Sequence, residues 1–161
     1  MTSYPASHVE DSLKLIADGI VDLFQIQLVE GGTVYIKNNN TVTYLGNTYE
    51  GIAVKLSGVG NSSGDDKARP SLDVANPEGV FSALVGQGKL EGAVVVRIRV
   101  LYTHLINNTN INMQQSWTVN KVSSLNRSSI SLELRNTLDG SYFKLPARVF
   151  APPEFPMVSL S

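Results

Sequence analysis

The chain has 161 residues, 42% of them hydrophobic and 17% charged, with 13 basic and 14 acidic side chains for a formal net charge of -1. That length suits one domain burying about two-thirds of its unfolded surface, and near-neutrality supplies no global field for nucleic acid or an anionic membrane. The lack of cysteine removes disulfides, thiolate metal ligands and a cysteine nucleophile, and neither a secretory leader nor an apolar run of about eighteen residues is seen.

A polar start leads into Glu10-Asp11-Ser12 and then Leu13, Ile16 and Ala17 at helical spacing with Gly19 behind them, which predicts one short helix. After Gly19 the period changes to two. Phe24, Ile26 and Leu28 alternate with Leu23, Gln25 and Gln27, the Gly31-Gly32 pair turns the chain, and "TVYIK" is the expected hairpin partner. Short strands follow at "TVTYLG", "NTYEGI" and "AVKLSG", the cadence of a compact meander or barrel. Residues 58–69 replace β-branched side chains with Gly, Ser, Asn and charge, and predict a long exposed loop.

"SLDVAN" resumes a strand. Pro77 at a first helical position, with Asn76 as N-cap and Glu78 in the first turn, predicts a second short helix through about Val85. Loss of the Asn76 cap is expected to cost about 1 kcal/mol. The longest apolar run, "GAVVVRIRVLYTHLI", predicts a central strand. Val94, Val96, Ile98, Val100 and Tyr102 share its dry face, while Val95, Arg97, Arg99 and Leu101 share a partly charged one. "NNTNINMQQ" reads as a polar turn or loop. "SWTVNKVSSL" and "SSISLELRN" form a hairpin around Asn126-Arg127, with Ile130, Leu132 and Leu134 inward. Four of the seven prolines fall in the last segment, which predicts an extended arm. The fold class is therefore mainly β, a barrel or sandwich with one or two short α-helices. It divides into an N-terminal segment 1–19, a β domain 20–145 with the 58–69 loop, and a proline-rich arm 146–161.

Motifs for chemistry are missing where they would be needed. His8 and His104 stand far apart in sequence with no ligand partner at metal spacing, and Asp65-Asp66 lacks the calcium-loop pattern. "GQGKLEGA" fails as a phosphate loop, because Ala83 and Leu90 stand where glycine and a hydroxyl residue are required. No G-x-S-x-G occurs. Glu50, Asp73 and Glu91 are free to meet as paired acids, as any set of surface acids is. Neither an enzyme nor a cofactor is expected. Arg97 and Arg99 lie about 7 Å apart on one strand face, suited to gripping carboxylates, and a subunit contact is the favoured reading.

The stretches "DLFQIQL" then "GG", "VTYLGNTYEGIAVKLSG", "ARPSLDVAN" and "SALVGQGKLEGAVVVRIRVLY" occur in that order over roughly residues 20 to 136. In this arrangement the chain resembles the minor tail protein L family of lambda-like siphophages. The resemblance implies a tail-tube-like β-barrel or sandwich in the virion, assembled in the host cytoplasm. It would serve as a tail-tip ring of the baseplate hub between the distal tail tube and the central fibre or spike. It also implies a homo-oligomer, a trimer with a hexamer as the alternative. Its neighbours would be the distal tail protein and the fibre and hub proteins, with passive contact to DNA or the tape measure protein in the lumen and no membrane binding. Longer members carry a cysteine-rich iron–sulfur region; this chain has no cysteine, so that metal does not transfer.

On this reading the candidate subunit-interface residues are Asp65, Asp66, Lys67 and Arg69 in the loop, Arg97 and Arg99 on the strand, and Phe150 and Phe155 in the arm. The alternative function is a carbohydrate-binding β-domain for host-surface recognition, which would need exposed aromatics converging from Tyr35, Tyr44, Tyr49, Tyr102 and Trp117.

Overall fold

A computed structural model describes residues 5–12, 18–59 and 69–136. The strands are β1 (Ile20–Gln27), β2 (Thr33–Lys37), β3 (Val42–Tyr44), β4 (Asn47–Gly51), β5 (Val54–Ser57), β6 (Ser71–Ala75), β7 (Val94–Leu101), β8 (Met113–Leu125) and β9 (Ser129–Asn136). Three short helices accompany them: α1 (Ala6–Ser12), α2 (Val80–Gly86) and α3 (Tyr102–Ile106). The fold is mainly β, as the alternation predicts.

Strand order is β3-β4-β2-β1-β7-β8-β9-β6-β5, and the chain itself bridges β2 to β6 through β4 and β5. Only Ile52 and Ala53 separate β4 from β5. β4 pairs in parallel with β2, β5 pairs antiparallel with β6, and between them Ile52 donates its N–H to the Lys37 carbonyl while Ala75 donates to the Ala53 carbonyl. One kinked run of chain thus closes the sheet into a barrel, and among the described residues the short β3 is left as an outer border.

The inward side chains follow from the registers. Phe24 and Ile26 of β1, Ile36 of β2, Val54 of β5 and Leu72 and Val74 of β6 meet Val95 of β7, Trp117 and Val119 of β8, and Ile130, Leu132 and Leu134 of β9. Phe81 from α2, with Leu90 and Ala93, enters the same core, so α2 plugs one end. A second, outer core forms where the β3–β4 hairpin folds over the back of β1 and β7: Tyr44 and Tyr49 pack with Leu23, Ile98, Val100 and Leu105. Gln25 donates to the Tyr49 hydroxyl, and the Tyr44 hydroxyl donates to the Thr109 carbonyl. β7 is therefore buried on both faces, but at different levels.

Several elements depart from the sequence reading. The first helix is α1, Ala6–Ser12, upstream of the apolar triplet that predicted it; Leu13, Ile16 and Ala17 lie outside the described residues. The apolar run does not stay extended to Ile106, because the strand ends at Leu101 and α3 begins. The polar segment after it is strand from Met113 onward. At Pro77–Gly79 there is a 3-10 turn with Glu78 at φ 56°, and the helix proper starts at Val80 with Gly79 (φ 74°) as its N-cap. Asn76 still caps, from a distance: its Oδ1 accepts the Phe81 N–H at 3.0 Å.

Candidate functional site

The plugged end of the barrel holds α2 and the β8–β9 turn. The opposite end is where β1 begins, β7 and β9 finish and β6 starts. Of the candidate interface residues, Arg69, Arg97 and Arg99 are described. Arg69 precedes β6 and Gly58 follows β5, where Ser57 pairs with Ser71. Residues 60–68, with Asp65, Asp66 and Lys67, lie outside the described residues, as do Phe150 and Phe155.

Arg97 and Arg99 come together with a residue that the sequence reading did not single out. In the β1–β7 ladder Asp22 stands opposite Arg99 and Phe24 opposite Arg97, and in the β7–β8 ladder Arg97 faces Gln115 and Arg99 faces Met113. All four polar side chains thus project from the inner face that carries Phe24, Val95 and Trp117. Arg97 Nη2 donates to Asp22 Oδ2 at 2.6 Å and Arg99 Nε to Asp22 Oδ1 at 3.2 Å. One carboxylate holds two guanidinium groups, so the cluster keeps a formal charge of one positive unit.

Arg97 is the more enclosed member, 11% exposed, while Arg99 and Asp22 are about one-third exposed. Among the described residues, Arg97 Nε and Gln115 Oε1 are buried without a hydrogen-bond partner. A buried donor left unpaired costs roughly 1–3 kcal/mol, which makes this the least satisfied polar spot of the barrel interior. Asp22 has a sequence signal: it shares the parity of Phe24 and Ile26, an acid in phase with an apolar face, just as the arginines are in phase with Val95.

Arg69 belongs to a different group. It pairs with Glu133, which also receives Asn120 Nδ2 at 3.0 Å and lies 3.4 Å from Lys121 Nζ. The Arg69 guanidinium, more than any other neighbour, holds the Glu133 carboxyl below the usual range, against the opposing effect of burial. This is a surface network that ties β8 to β9 and to the start of β6.

Among the described residues, Glu50, Asp73 and Glu91 stand on separate segments of the fold. Asp73 accepts a hydrogen bond from Ser131 Oγ at 2.6 Å, and Glu50 is exposed on β4. Among the described residues no three metal-ligating side chains lie together, and no helix is long and apolar enough to cross a membrane. His8 of α1 lies near His104 of α3. Burial, then the charge of His104, hold the His8 imidazole below its ordinary pKa, with Asp11 acting in the opposite sense.

No protein-family model matches the chain, and no curated protein matches it. Among solved structures, the fold is similar to a chain described as "Virion of native gene transfer agent (GTA) particle", with a TM-score of 0.63 and 13% identity. The match covers 92% of this chain and 50% of that one, so the present chain spans half the length of its structural neighbour.

Proposed function

We propose that this chain is a non-enzymatic structural component of a bacteriophage tail tip. It would form a ring of the baseplate hub that joins the distal tail tube to the central fibre or spike, and part of the DNA channel wall. The observation that supports this most is the barrel itself, which follows a chain of a virion particle over 92% of its length. The ordered motifs of residues 20–136 favour the tail tip over other positions in a particle. Their resemblance also suggests a homo-oligomeric ring, a trimer or a hexamer, contacting distal tail, fibre and hub proteins.

The molecule suits a passive wall. Its interior is filled by apolar side chains, and a formal net charge of -1 gives DNA passing outside the barrel no surplus of basic groups to hold it. A carbohydrate platform would need aromatics on the surface, but Tyr44, Tyr49 and Trp117 are buried in the two cores. Electron microscopy of phage tails with the chain labelled, counting copies at the tip, tests the proposal. Three or six labels in one ring at the distal end are expected. Label along the tail shaft, on the head, or missing from purified particles would overturn it.

A further inference from the structure

The half-satisfied cluster on the inner face of β1, β7 and β8 bridges β1 to β7 and still keeps a surplus positive charge. Asp22 neutralises one of two arginines, and the Arg97 Nε and Gln115 Oε1 atoms are left over. A side-chain amide turned over about its axis exchanges oxygen for NH2. Reversed in this way, Gln115 would present a second donor beside Arg97.

The surroundings add a further feature. Where β1 begins and β7 finishes, Ile20, Tyr102 and Ile106 are each more than half exposed; Ile20 follows Asp22 and Arg99 on the inner face of β1, and Tyr102 and Ile106 belong to α3. Arginine and tyrosine beside exposed aliphatic side chains is the composition of a contact patch, and a guanidinium pair with spare donors is the chemistry that selects a carboxylate.

We propose that Arg97, Arg99 and Gln115 form a receptor for a carboxylate side chain of a neighbouring protein subunit, an aspartate or glutamate presented next to an apolar residue that covers Ile20, Tyr102 and Ile106. The incoming acid completes the charge balance of the cluster: two guanidinium groups, Asp22 and one further carboxylate. Asp22 already holds both guanidinium groups before the partner arrives, so little side-chain freedom is lost on docking. This assignment rests on the reading of the chain as an assembly component.

Two measurements test it. In the first, the purified wild-type chain is titrated with N-acetyl-aspartate while the arginine Nε–Hε and glutamine NH2 resonances are followed. Saturable shifts at Arg97, Arg99 and Gln115, with none at Arg127, are expected; no shift at the cluster, or equal shifts at all arginines, overturns the receptor. A cluster already filled by an acid of the chain's own residues 137–161 gives no shift and overturns it likewise.

In the second, copies of the chain are counted in purified particles for Arg99→Gln, Arg99→Glu and the surface control Arg127→Glu, each checked by thermal melt. Arg99→Gln should lower incorporation about tenfold, the loss of one charge-assisted hydrogen bond, and Arg99→Glu should abolish it, with the control unchanged. A folded Arg99→Glu chain incorporated as well as wild type rejects the receptor but leaves the virion role standing. Wild-type chain missing from particles rejects the virion role, and the titration then still decides whether the carboxylate site exists.

Discussion

Asn76 is 1% exposed yet carries an amide and a peptide group, and each finds a partner. Its Oδ1 accepts from Phe81 N–H, its Nδ2 donates to Ser82 Oγ at 3.0 Å and to the Asn126 carbonyl at 3.1 Å, and its own N–H donates to the Ser128 carbonyl at 2.8 Å. One side chain therefore ties the end of β6, the first turn of α2 and the β8–β9 turn. The sequence shows an N-cap beside a proline, because capping is a local pattern. The donation to Asn126, fifty residues away, is invisible to it. The expected cost of Asn76→Ala is accordingly larger than that of a solvent-facing cap, about 3 kcal/mol, since the buried Phe81 N–H loses its acceptor and the part-buried bonds to Ser82 and Asn126 go with it. Urea denaturation measures it. A loss of about 1 kcal/mol or less would reduce Asn76 to an ordinary cap.

At the scale of elements, the strands were legible where each could be read alone. β9 alternates because one face meets a core, while β1 and β7, which feed a core on each side, still separate into two sets of residues without knowledge of the neighbours. α3 was not. "LYTHLI" continues the strand pattern, and the reason the chain coils there is distant: Tyr102 N–H donates to the Gly19 carbonyl at 2.8 Å and Thr103 N–H to Asp18 Oδ2 at 2.9 Å. The first turn of α3 is thus capped by an acid from before β1.

The same acid anchors the N-terminal side, where Asp18 N–H donates to Asp11 Oδ2 of α1 at 2.7 Å. α1 carries His8, whose Nε2 is buried without a partner among the described residues and whose pKa is lowered by burial first and by His104 second. A histidine with a depressed folded pKa binds more protons when unfolded. Stability is then fully present above the unfolded value of roughly 6.5 and is lost as pH falls through the lower folded value. Thermal melts from neutral pH down to pH ~5 should show the melting temperature falling, and His8→Gln should flatten that fall. An unchanged slope in His8→Gln would mean that carboxylates such as Glu133, held low by Arg69, carry the whole acid sensitivity.

For the molecule as a whole, the decisive closure is the β2–β4 pairing, and it depends on a glycine. Gly51 pairs with Lys37, and a Cβ there would stand 2.2 Å from the Asn39 carbonyl oxygen, a backbone atom that would have to shift. Gly51→Ala should destabilise by about 2–3 kcal/mol through this overlap, and hydrogen exchange should show the loss in β2 and β5 together, since both hang on the same run of chain. Loss confined to the β3–β4 hairpin would mean that the barrel does not need this closure. The barrel class was foreseeable from the cadence of strands, but a parallel pairing between β2 and β4 was not, because hairpin logic joins successive strands antiparallel. Closure also bears on how copies come together. Among the described residues the drum leaves β3 as an outer border, and a strand of 3 residues is a poor template for a second copy to zip onto; the order of an assembled particle is then set mainly by side chains at the drum's lip.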